Sequence, residues 1–177
     1  IDDDIADDLE RLQALGPGTA SVSARTLDDR TWIVAYSAAE APATYYRYDR
    51  GSGDLHELFS SRPALDGAPL VPQWPVEITS RDGLPLVSYL TLPAHADPDR
   101  DGKADKAVPM VLLVHGGPWA RDSYGYSGYG QWLANRGYAV LQVNYRGSTG
   151  FGKDFVNKSN HEWAAKMHDD VIDGVQW

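Results

Sequence analysis

The sequence contains no cysteine. Disulfides and thiolate chemistry are therefore excluded. The compartment stays open, with the cytoplasm the simpler expectation. No basic stripe is present either. The 16 Lys and Arg are scattered among 25 acids for a formal net charge of −9, so nucleic acid is not an expected partner. No apolar run reaches the roughly 20 residues of a membrane-spanning helix. The Asp-rich start is unlike a secretory leader, and no membrane partner is expected. What is abundant is aromatic: six Trp and ten Tyr indicate a packed globular chain.

Residues 1–15 hold six acids in the first ten positions, then Leu9, Leu12 and Leu15 at helical spacing. Acids at a helix start suit the positive end of the dipole, so a solvated acidic cap is expected there. Four short strands are expected next, over 20–26, 31–37, 44–49 and 55–59, with turn residues between them. Four antiparallel strands in about forty residues is the size of one β-propeller blade. A lone blade would leave its faces and edges bare; a small antiparallel sheet packed on the rest of the chain is the alternative. Residues 60–75, with Pro63, Pro69, Pro72 and Pro75, read as a linker. A hairpin over 76–79 and 86–92 turns at Asp82-Gly83.

Asp97, Asp99, Asp101, Gly102 and Asp105 match positions of a calcium loop. The twelfth position, which needs a bidentate Glu, is Val108, so a surface loop is expected and no metal. Val111-Leu112-Leu113-Val114 reads as a buried strand that breaks at His115-Gly116-Gly117-Pro118. A helix over 126–136 follows, with Trp132 and Leu133 on its buried side and Gly137 as its C-cap. A second buried strand covers 138–143, followed by the turn Arg146-Gly147-Ser148-Thr149-Gly150. Strand, glycine turn, helix, strand points to a parallel α/β arrangement with ligands at the strands' carboxyl ends. The last helix, over 160–177, is expected to be capped by Asn160 and to bury Trp163, Met167, Val171 and Val175. Met167-His168-Asp169-Asp170 reads as helix surface and packing.

His115-Gly116-Gly117 has the composition of an oxyanion loop, in which backbone N–H groups hold the developing negative charge of acyl transfer. The nucleophile would sit in Gly-x-Ser-x-Gly, and no complete copy is present. Gly125-Tyr126-Ser127-Gly128-Tyr129 and Arg146-Gly147-Ser148-Thr149-Gly150 are near misses, each with a bulky residue where the elbow needs glycine. The histidines fall in the wrong chain order for a triad base. His161-Glu162 lacks the second histidine of a zinc-protease helix, since residue 165 is Ala.

One ordered series is more specific than any of these. It runs through Tyr45-Tyr46-Arg47-Tyr48-Asp49, Ser80-Arg81-Asp82-Gly83-Leu84 and Tyr89-Leu90-Thr91-Leu92-Pro93. It continues with His115-Gly116-Gly117-Pro118-Trp119, Asn144 to Gly152, His161-Glu162-Trp163 and Lys166-Met167-His168-Asp169-Asp170. The series resembles the prolyl oligopeptidase family of serine peptidases, in its acylaminoacyl-peptidase-like and dipeptidyl-peptidase-like branch. The resemblance implies an α/β fold class: the first half of an α/β-hydrolase domain preceded by the last blade of a β-propeller. Residues 1–62 would end the propeller (blade about 19–59), 63–75 would link, and 76–177 would begin the catalytic domain. It further implies a Gly117 N–H on the oxyanion and His115 where other branches place a tyrosine. Trp119 would line the substrate pocket. The Ser-His-Asp triad would lie beyond this chain, leaving it inactive alone. The implied substrates are short peptides, without cofactor. The implied partner is a complementary chain or the remainder of the same protein. A non-catalytic structural chain and an esterase on the same fold are the alternatives.

Overall fold

The computed structural model describes residues 3–16 and 18–177; Asp2 of the acidic start lies outside them. The chain divides into two compact units, 1–70 and 71–177. The division falls inside the proline-rich stretch.

The first unit is an antiparallel meander, β1 (Thr19–Arg25), β2 (Thr31–Ala38), β3 (Ala41–Asp49) and β4 (Leu55–Ser60), preceded by α1 (Asp3–Leu15). Alternation puts Trp32, Val34 and Tyr36 of β2 on one face, paired with Tyr48 and Tyr46 of β3. Leu12 packs there with no exposed area, worth about 1.5–3 kcal/mol of burial. The face is thus covered by α1; of the acidic start, Asp8 is drawn into the sheet while Asp7 and Glu10 stay exposed as expected of a solvated cap. The hydroxyl of Tyr36 donates to the Leu12 carbonyl at 2.6 Å, and that of Tyr48 to Asp8 at 2.6 Å. Arg50 donates to the other Asp8 oxygen at 2.7 Å. Burial alone would raise the Asp8 pKa, but the Tyr48 and Arg50 hydrogen bonds hold it below the usual value. The edge strands β1 and β4 remain largely exposed.

The second unit is a mixed sheet in the order β5-β6-β8-β7. A 3₁₀ turn at Pro63–Leu65 precedes it in the chain, and β5 (Gln73–Thr79) begins within the expected linker. β5 pairs antiparallel with β6 (Pro85–Thr91), and β6 pairs antiparallel with β8 (Ala139–Val143). β7 (Met110–Leu112) lies parallel to β8 at the edge. Every residue of β8 is buried, whereas Met110 and Val114 are exposed by 39% and 45%. The expected buried strand at 111–114 is therefore a half-exposed edge. Its apolar run resembles that of β8, but only β8 is flanked on both sides.

The helices depart from their apolar patterns. α2 (Gly128–Ala134) is capped by Ser127, whose Oγ accepts from Gly130 N at 3.1 Å. It buries Gly130, Gln131 and Ala134. Gln131 exchanges two hydrogen bonds with the Val71 backbone, 3.0 and 2.7 Å. Trp132, expected inside, is 54% exposed and lies under the Arg136 guanidinium at 4.5 Å. α3 (Lys153–Asn157) had no counterpart in the sequence reading.

α4 spans only Lys166–Gln176. His161 (φ 62) and Ala164 (φ 57) adopt the left-handed region and interrupt the helix expected from Asn160. Trp163 and Val175 are exposed, and the buried residues are Met167, Asp170, Asp173 and Gly174. Gly174 allows the close approach to the sheet, since a Cβ there would lie 2.6 Å from Val143 Cγ2. Of Met167-His168-Asp169-Asp170, expected to divide between helix surface and packing, Met167 and Asp170 are buried and His168 is exposed.

In the 97–105 loop, Asp97 is buried rather than at the surface. It accepts from Trp74 Nε1 at 3.0 Å and from Asp101 N at 2.9 Å.

Candidate active site

β7 and β8 run parallel, so the segments that follow them, 113–127 and 144–152, emerge at the same end of the sheet. Such strand ends collect the ligand-binding loops of α/β folds. The first segment carries His115, Gly116 and Gly117. Gly117 has φ 141, a conformation that disfavours side chains. A Cβ there would also approach Trp119 N to 2.7 Å. Both glycines are exposed, and among the described residues their N–H groups have no acceptor. An open cavity of about 370 Å³ adjoins them, with His115–Gly117 and Tyr145 on one side and Trp163, Met167 and Val171 on the other. Trp119, 68% exposed, is not part of that lining.

The imidazole of His115 faces the second segment. It stacks on Tyr145 with centroids 4.6 Å apart and planes at 14°. The Tyr145 hydroxyl donates to the His115 carbonyl at 2.9 Å. His115 Nε2 lies 2.9 Å from Ser148 Oγ, a nucleophile–base distance. Ser148 nevertheless has no exposed area, and its hydroxyl donates to the Tyr145 carbonyl at 2.6 Å. On the other side of the ring, His115 Nδ1 lies 2.9 Å from the Gly116 carbonyl. The pair of His115 and Ser148 locks the turn and offers no accessible hydroxyl.

A chain of side-chain amides pins the 118–127 segment to the sheet. Asn144, fully buried at the end of β8, accepts from Asp122 N at 2.8 Å and donates to Asp122 O at 3.2 Å. Gln142 donates to Asp122 Oδ1 at 2.7 Å, and Gln73 donates to Gln142 at 3.1 Å. Gln73 in turn accepts from Gly125 N at 3.0 Å. Asp122 Oδ2 is buried without a hydrogen-bond partner. Burial pushes the Asp122 pKa up, against the hydrogen bond from Gln142.

Beneath this end lies an ionic cluster. Arg146, immediately after Tyr145, pairs with Asp170 of α4 and Asp82 of the β5–β6 turn. Arg81 donates from Nε to Asp173 at 2.9 Å and from Nη1 to Asp169 at 3.0 Å. Arg146 and Ser80 together hold the Asp82 carboxyl far below the usual range, and Asp170 holds the Arg146 guanidinium firmly protonated. Asp82, Arg146 and Asp170 carried part of the family resemblance, yet the sequence reading assigned them no role. Asp170 falls one turn from the apolar Met167 on α4, and Asp82 and Arg146, both in turns, carried no signal of their own.

Comparison with known proteins bears on what this site belongs to. A family model described as the prolyl oligopeptidase family matches residues 124–177. Dipeptidyl aminopeptidase BIII of Pseudoxanthomonas mexicana is 73% identical over 100% of this chain, which covers 26% of that protein. The chain belongs to the prolyl oligopeptidase family. Dipeptidyl peptidase family member 6 of Caenorhabditis elegans is 41% identical over 97% of this chain and 25% of its own length. The acylaminoacyl peptidase of Pyrococcus horikoshii shares the fold, with a TM-score of 0.67 at 23% identity over 91% of this chain and 24% of that one. The chain thus spans about a quarter of the length of the prolyl oligopeptidase-family relatives it matches. Among the described residues no helix is long and apolar enough to cross a membrane.

Proposed function

We propose that this chain is a segment of a serine peptidase that hydrolyses short peptides through a Ser-His-Asp triad contributed by residues outside it. Residues 19–59 form the last propeller blade in this reading, 63–75 the linker, and 76–177 the first part of the α/β-hydrolase domain. One observation carries the proposal: Gly116 and Gly117, whose N–H groups have no acceptor among the described residues, line an open cavity at the carboxyl end of the sheet, in a chain of this family.

The division of labour proposed for the full-length enzyme is that of a serine-protease triad. A serine hydroxyl attacks the peptide carbonyl while a histidine takes its proton. The carbonyl oxygen becomes an oxyanion and accepts the Gly117 N–H. The histidine then returns the proton to the leaving amine, and water hydrolyses the acyl-enzyme. One such donor contributes about 2.7–4 kcal/mol in the transition state. His115 is a positioning residue: its ring is held by Tyr145 and Ser148, which fixes the backbone of the glycines that follow. In this reading the exposed Trp119 meets the substrate outside the cavity lining, as an apolar surface.

A fluorophosphonate probe should label the full-length protein and not this chain alone. Gly117→Ala keeps the N–H, but its Cβ would clash with Trp119 N and shift the donor, so kcat of the full-length enzyme should fall, by up to the roughly 100- to 1000-fold that loss of one donor costs. No labelling of a folded full-length protein would sink the peptidase reading. Paired ester and amide substrates separate it from an esterase.

A second reading rests on the open edge of β7, where Met110 and Val114 are exposed. An uncovered apolar edge strand is a pairing site. In this reading the chain serves as a structural partner, its edge covered by a complementary chain or by the rest of the same protein. A stable 177-residue monomer in light scattering would count against it.

A further inference from the structure

Arg121 carries a charge that no carboxylate among the described residues neutralises. Among them its guanidinium makes one hydrogen bond, from Nε to the Asp122 carbonyl at 3.2 Å. The side chain is exposed, yet it is held at three points. Nε is engaged as described. Cζ lies 4.6 Å from the centre of the Phe151 ring. The Nη1 end crosses Gly150, where any Cβ would collide with it. The backbone beneath is fixed as well, because Asp122 is clamped by Asn144 and the Ala120 carbonyl accepts from Thr149 N at 2.9 Å. An arginine on a solvated face has no need of such restraint. Here the two Nη groups are left as an oriented fork, a geometry that fits a carboxylate bidentately.

The position narrows the ligand. Arg121 follows Gly117 by four residues, so the two backbones are at most about 14 Å apart. Extended peptide spans the same distance in about four residues. The one negative group every linear peptide carries on the leaving-group side of its scissile bond is its C-terminal carboxylate. The chain's net charge of −9 makes a fixed, unpaired cation at this end of the sheet the natural counterpart. We propose that Arg121 binds the C-terminal carboxylate of short peptide substrates and so favours peptides that end within a few residues of the cleaved bond. The inference rests on the peptidase reading above. An acidic side chain would offer the same chemistry from another source.

The test uses the full-length enzyme and three peptides: a tetrapeptide with a free carboxylate, its C-terminal amide, and an amide carrying Glu beside the C-terminus. Arg121→Met should lower the acid-to-amide ratio of kcat/KM on the order of ten-fold, through KM, the low end for a hydrogen-bonded charge. Arg121→Lys should restore part of the ratio, since an ammonium keeps the charge but not the paired donors. Added salt should reduce the ratio in the wild type and not in Arg121→Met. An unchanged ratio, with both peptides losing equally, would overturn the proposal and leave Arg121 as a staple for the loop. A Glu-amide that matches the free acid would overturn the C-terminal assignment. Calorimetric titration with reduced-amide analogues of the acid and the amide reads the same difference without turnover. A binding difference lost in Arg121→Met supports the carboxylate site even if peptide hydrolysis fails, whereas equal binding overturns it.

Discussion

Arg146 and Asp170 meet in three hydrogen bonds: Nε to Oδ2 at 2.8 Å, Nη2 to Oδ1 at 2.7 Å, and the Arg146 backbone N–H to Oδ2 at 2.8 Å. Their side chains are 5% and 0% exposed. The pair ties the residue that follows Tyr145 to α4, and so joins the two walls of the cavity. Removing Arg146 leaves Asp170 buried without its counter-charge, whereas removing Asp170 leaves Arg146 its pair with Asp82. Arg146→Ala should destabilise the protein by about 3–5 kcal/mol, with Asp170→Ala costing less and the double substitution less than additive. Urea unfolding of the three variants measures this. Strict additivity would show that the pair is not coupled.

Acid should loosen the same unit. Asp82 and Asp173 have pKa values depressed chiefly by hydrogen bonds from Arg146 and Arg81 respectively. A depressed folded-state pKa contributes stability that is present above the unfolded value, near 3.8, and is lost as pH falls below it. Melting temperature should therefore fall from about pH 4.5 downward. Asp82→Asn should be less stable than wild type at pH 7, with the gap narrowing toward pH 2. A gap constant with pH would count against this assignment.

Asp122 should behave in the opposite sense. Its folded pKa is raised by burial, so the stability of its neutral form is present at low pH and lost as pH rises through the raised value. Asp122→Asn removes the ionised form. The melting temperature of this variant relative to wild type should rise between pH 4 and pH 8. A flat difference would indicate that a donor reaches Oδ2.

Ser148 should not be a nucleophile, despite standing 2.9 Å from His115 Nε2. Ser148→Ala should keep fluorophosphonate labelling of the full-length enzyme. It should lose about 1–3 kcal/mol of stability, because His115 loses its hydrogen-bond partner. Abolished labelling in a folded variant would reverse the assignment.

Much of the architecture was legible locally. Period-two alternation with turn residues located β2 to within one residue, and the hairpin at Asp82-Gly83 was marked by its turn dipeptide. The glycines after β7 were identified as a loop from composition alone. α3 was missed because five residues carry too little periodicity to register. The expected end of α2 held to within two residues, but its buried side did not.

What the sequence by itself determined was the strands, most of the helices, the glycine loop and the family series. These depend on contacts between near neighbours, and the chain's own spacing encodes them. The tertiary structure alone decided which strand is central and which face of α4 is buried. β7 and β8 are similar apolar runs, and burial came from having a neighbour on each side. On the expected last helix, hydrophobic spacing pointed to Trp163, Met167, Val171 and Val175; Met167 is buried, but Trp163 and Val175 are exposed and Asp170 and Asp173 lie inside. Their partners Arg146 and Arg81 stand 24 and 92 residues away. A charge can be buried only where a counter-charge meets it, and such a meeting is set by the fold rather than by local spacing.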